Sequence, residues 1–117
     1  MNQDGQVVIF ELGGSKFCMD SSSVTEIIEP EGIIRIPDVP DFVEGIVNLR
    51  GNTFAVINLG EKLGCKKPRS HSNPKILMCD LGSEVIGFLV DDVFGIIASE
   101  EVIKDQDMQM IEPEAII

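Results

Sequence analysis

The sequence predicts an all-β fold built from small barrels, and three observations carry that prediction. The apolar runs are short and bounded by glycine, proline or asparagine, two pairs of them are joined by links of hairpin length, and no helix is long enough to cover a parallel sheet. The first hairpin joins "QVVIFEL" to "SKFCM" through Gly13-Gly14, and paired glycines suit a tight turn because both can take positive φ. The second joins "KILMCDL" to "EVIGFLVDDV" through Gly82-Ser83. Between them "IIRIP", "GIVNL" and "TFAVINL", and after them "GIIAS", are rich in Ile and Val and read as further strands.

Helices are expected to be few and short. In "SSSVTEIIE", Val24, Ile27 and Ile28 fall at helical spacing behind capping serines, and Glu26 stands at the capping-box distance from Ser23, before Pro30 ends the segment. "LGEKLG" reads as one turn, and Ser99 can cap "EEVIKDQDMQMI". The stretch "CKKPRSHSNP" is polar, holds two prolines and reads as an exposed loop.

With 117 residues and 44% hydrophobic content, the chain is sized for one compact module. No apolar run approaches the roughly 20 residues that span a bilayer, and "MNQDGQ" lacks the pattern of a secretory signal, so a cytoplasmic protein is expected. A net charge of -11 opposes nucleic acid and anionic membrane as partners. The charge is uneven: Lys62, Lys66, Lys67, Arg69 and Lys75 cluster, whereas ten acids face Lys104 alone from Asp80 onward. Such asymmetry fits protein docking, and it also fits a solvated acidic face. The odd set of Cys18, Cys65 and Cys79 lacks CxxC spacing and reads as free thiols.

Catalytic chemistry finds little support. His71 is the only histidine, and no GxGxxG, GxxxxGK[ST] or GxSxG motif occurs. A small metal-dependent enzyme would have to use Asp91, Asp92 and His71, with Asp80 or Glu84 in support, although paired acids after a strand are more often a turn. The expectation is therefore no enzyme, no cofactor and no metal. Tryptophan and tyrosine are absent, which removes the usual stacking platforms for single-stranded nucleic acid.

The informative stretch is "PDFVEGIVNLRGNTFAVINL", from Pro40 to Leu59. Its prolines preset a turn, Asp41 can cap one short helical turn carrying Phe42, Val43 and Ile46, and that turn runs into a strand. Gly51 directly after Arg50 permits a tight reversal, which places Arg50 at a strand end, aimed outward as a fork of donors. Pairing with an acid of the same chain and contact with a partner are both open for it.

"VPDFVEGIVNLRGNTFAVINLGEKLG" resembles the signature of the CheW-like domain, found in the chemotaxis coupling protein and in the regulatory domain of the chemotaxis histidine kinase CheA. "VVIFELGGSKFCMDSSSVTEIIE" is similar to the family's opening hairpin, and "KILMCDLGSEVIGFLVDDVFGII" to its later one, so the resemblance runs from Val7 to about Glu112. It implies a single CheW-like domain over residues 1–117, of two intertwined SH3-like five-stranded β-barrel subdomains, without catalytic activity. It further implies a scaffold that couples chemoreceptor tips to the kinase's regulatory domain. A receptor tip would lie in the groove between the barrels, on Val24, Glu26, Asn48 and Arg50, and the kinase on strands carrying Val85, Ile86, Val90 and Val93. Two departures stand out. The chain stops at "MIEPEAII", before the family's final strand pair and closing helix, which raises the expectation of a homodimer, a strand swap, or a shortened module that caps or inhibits receptor arrays. Asn58 replaces the usual Asp, and that removes a charge expected near Arg50.

Overall fold

The computed structural model describes residues 5–65, 73–102 and 108–116. Nine strands form two sheets: β1 (Gln6–Leu12), β2 (Ser15–Asp20), β3 (Val24–Ile28), β4 (Val43–Leu49), β5 (Asn52–Asn58), β6 (Lys75–Asp80), β7 (Val85–Val90), β8 (Asp92–Ala98) and β9 (Gln109–Ile111). Three one-turn helices accompany them, α1 (Leu59–Lys62), α2 (Ser99–Val102) and α3 (Pro113–Ile116). The first sheet has the order β8-β1-β2-β9 and the second β3-β6-β7-β5-β4, so the first draws on both ends of the chain and the second on its middle. The first holds four described strands where five were expected.

Both expected hairpins form. β1 and β2 pair antiparallel across Gly13-Gly14, both at positive φ, and β6 pairs antiparallel with β7. Their sequences do not alternate apolar with polar, because each sheet is buried on both faces. On β6, Leu77 and Cys79 enter a core shared by the two sheets, while Ile76 and Met78 enter the interior of the second barrel with Val47 and Val56. On β1, Val8, Phe10 and Leu12 meet the same shared core, and Val7 and Ile9 pack outward with Cys18. Ile116 of α3 closes the shared core from the C-terminal side.

The second sheet closes on itself through the chain between its two edges. Ile34 pairs with Ile46 of β4 in both directions, N to O at 2.8 Å and O to N at 2.9 Å. Gly45 makes this approach possible, since a Cβ at that position would run into the Ile34 carbonyl oxygen, and its φ of +146° lies where L side chains rarely go. Arg35 adds a 3.5 Å ion pair to Glu44 beside the bridge.

Four local expectations change. "SSSVTEIIE" is a 3-10 turn at Ser21–Ser23 followed by β3, and its cap is Asp20, whose carboxylate accepts from Ser22 N. The β-branched run Val24, Thr25, Ile27, Ile28 favours the strand. No helical turn precedes β4, which starts at Val43 after a turn in which Val43 N donates to the Pro40 carbonyl. "IIRIP" contributes the single Ile34 bridge and no strand. Ser99 opens α2 and donates its N–H to the Gly5 carbonyl. The expected turn at "LGEKLG" is α1, whereas most of the "CKKPRSHSNP" loop lies outside the described residues.

The cysteines are free, Cys18 and Cys79 buried and Cys65 partly so. Burial first, and the Glu114 carboxylate second, push the Cys79 thiol from 9.0 up to about 12. A folded-state pKa above the unfolded one stabilises fully below pH 9, and that contribution drains away as pH rises towards 12, by up to about 4 kcal/mol over the whole interval. The urea midpoint is therefore expected to fall more steeply between pH 9 and 10.5 in the native chain than in Cys79→Ala. Parallel curves would show that this thiol is not kept protonated by the fold.

Candidate functional site: a groove between the sheets

Where the shared core reaches the surface it remains open as a groove of about 260 Å³. Val8 and Ile96 line it from the first sheet, and Ser21 and Val24 through Ile27 from the second. Cross-strand register explains the placement. Ile96 stands opposite Val8, and Ile27 opposite Leu77, both core residues, and opposed side chains share a face. Ile27 and Ile96 are thus an outward continuation of the core, left 38% and 54% exposed. Apolar side chains so placed lose water favourably against another apolar face, at roughly 25 cal/mol per Å².

Arg50 and Glu26 stand at the rim. Leu49 pairs with Asn52, so Arg50 and Gly51 alone make the β4–β5 turn, with φ of +53° and +85°. Two positive φ values match the twist of a two-residue hairpin, but the first position favours Asn, Asp or Gly over a bulky side chain. Asn48 steadies the turn by accepting from Gly51 N at 3.3 Å. The guanidinium reaches back across the barrel, its Nη2 donating to Glu26 Oε2 at 2.7 Å. That hydrogen bond, and then the charge of Glu26, raise the Arg50 pKa above its ordinary value. Since β3 and β4 are opposite edges of the second sheet, the pair ties both edges at the mouth of the barrel.

Arg50 stays 70% exposed, with most of its donors free for a second acceptor. A strained residue kept in an exposed turn is a functional signal, because glycine would build the same turn without strain. Arg50→Gly is expected to leave the thermal midpoint unchanged or raised, despite the lost ion pair. A clear fall, measured by calorimetry, would mean that the pair is kept for stability.

The structure brings Val24, Glu26, Asn48 and Arg50 to one side of the molecule, Val24 in the groove and the other three at its rim or the adjoining turn. The second group divides. Ile86 and Val90 are 5% and 1% exposed and belong to the shared core, so they have no surface for a partner. Val85 and Val93 are half-buried and keep some. Sequence reasoning missed Ile27 and Ile96, whose exposure depends on register. Asn58 is not near Arg50: it lies at the far end of β5, about 20 Å along the strand. Its oxygen accepts from Glu61 N to cap α1, and its amide donates to Glu44 at 2.9 Å, which an Asp could not do.

The acids weighed for metal chemistry have other occupations. Asp91 Oδ2 accepts from Gly13 N at 2.7 Å, closing the first hairpin, and Asp92 accepts from Val93 N. Among the described residues no three His, Cys, Asp or Glu side chains stand together; His71 lies outside them. No helix among the described residues is long and apolar enough to cross a membrane.

Comparison with known proteins gives a consistent answer. The family model for the CheW-like domain matches residues 6–116. The chain is 31% identical over 86 residues to the chemotaxis protein CheW of Helicobacter pylori, covering 74% of this chain and 52% of that one. It is 31% identical over 96 residues to CheW of Thermotoga maritima, covering 82% and 63%. The crystal structure of the scaffolding protein TtCheW from Thermoanaerobacter tengcongensis superposes with a TM-score of 0.75 at 31% identity, over 80% of this chain and 64% of that one. The chain thus spans about half the length of the Helicobacter relative.

Proposed function

The chain belongs to the CheW-like domain family, and from that premise we propose that it is a cytoplasmic, non-enzymatic scaffold coupling chemoreceptor tips to the regulatory domain of a chemotaxis histidine kinase. The observation that carries this reading is the groove, an extension of the core to the surface with Arg50 and Glu26 fixed at its rim. An amphipathic helical tip fits such a site: its apolar side would cover Ile27 and Ile96, and its polar side would meet the free donors of Arg50. Residues 1–117 act as one CheW-like domain in this reading. The kinase domain docks elsewhere, where Val85 and Val93 retain surface and Ile86 and Val90 hold their strands from within.

Calorimetric titration of the folded chain into a chemotaxis kinase's regulatory domain tests the reading. Saturable binding is expected. Absence of heat at two temperatures, with the chain shown to be folded, would remove the kinase half of the coupling function.

A further inference from the structure

The pairing of β3 with β6 slips between Val24 and Glu26: Val24 stands opposite Cys79 and Glu26 opposite Met78. Residues two apart on β3 therefore face residues one apart on β6, and the extra residue is Thr25. Cys79 belongs to the core between the sheets, and Met78 to the interior of the second barrel. In a regular strand Val24 and Glu26 would share a face. The bulge turns them apart, Val24 towards the groove and Glu26 towards the barrel mouth, where the Arg50 guanidinium meets it. Thr25 itself is exposed, and its hydroxyl donates to the Met78 carbonyl at 3.2 Å, tying the bulge to the neighbouring strand.

We infer that Thr25 is a positioning residue for the rim: through the bulge it fixes Glu26, and through Glu26 it fixes the orientation in which Arg50 is presented to a partner. The inference rests on the proposed receptor contact for its consequence, while its mechanical part concerns this chain alone.

Two substitutions separate this role from a merely structural one. Strand preference ranks Val with Thr and above Ser, so a structural role makes Thr25→Ser the worse variant. The positioning role depends on the hydroxyl, which makes Thr25→Val the worse. Each variant would be titrated with a chemoreceptor cytoplasmic-tip helical hairpin, and the Arg50 Nε–Hε signal would be followed by NMR in the unbound chain. The expected result is an about five- to tenfold loss of affinity and a displaced Arg50 signal in Thr25→Val, with both retained in Thr25→Ser. A loss greater in Thr25→Ser, or an unmoved Arg50 signal and full affinity in Thr25→Val, would overturn the inference. If the native chain binds no hairpin while the Arg50 signal still moves in Thr25→Val alone, the receptor reading fails and the positioning role within the chain stands.

Discussion

Gly45→Ala is expected to lower the unfolding free energy by about 3 kcal/mol, a large part of the roughly 5–15 kcal/mol that holds a domain of this size. Two costs add at this position. The backbone φ of +146° is one that an alanine rarely adopts, and the new methyl would strike the Ile34 carbonyl, which is backbone and cannot swing aside. Relief requires Ile34 to move away, which breaks both hydrogen bonds of its bridge to Ile46 and opens the second barrel. Urea unfolding followed by circular dichroism measures the loss. A change under about 1 kcal/mol would show that the barrel does not depend on this closure.

Ile96→Glu is expected to do the opposite, leaving stability within about 0.5 kcal/mol while weakening receptor-tip binding about 30-fold or more. Ile96 is 54% exposed, so the folded chain loses little when it becomes polar. In a complex the glutamate would be pressed against an apolar face, and burying an unpaired carboxylate is strongly unfavourable. The protein's net charge of -11 adds no nearby compensation. Titration of the native and variant chains with the same receptor hairpin gives the comparison. Equal affinities would move the contact away from the groove.

Strand identity was legible because Ile, Val and Phe runs between glycines have few alternatives, and the hairpins at Gly13-Gly14 and Gly82-Ser83 followed from turn chemistry. The error at β3 has an instructive cause. A bulge adds one residue to a period of two, so Val24, Ile27 and Ile28 fall at the i, i+3, i+4 spacing of a helix although they lie on a strand. Arg50 was correctly placed at a bend, and the turn itself was implicit in Arg-Gly between two strands. Its partner could not be chosen among 20 acids, since the contact with Glu26 joins opposite edges of a closed sheet. Ile86 and Val90 were assigned to a docking face because every position of "VIGFLV" except its glycine is apolar. When both faces of a sheet are buried, composition no longer says which side faces out.

The coupling role requires two partners on one chain at once, so the most direct measurement adds the kinase regulatory domain to the chain already saturated with a receptor-tip hairpin. Calorimetry with sedimentation of the mixture should show a second saturable binding event and a species containing all three proteins. Displacement of the hairpin by the kinase domain, or no binding of either by the folded chain, would contradict a scaffold that holds both.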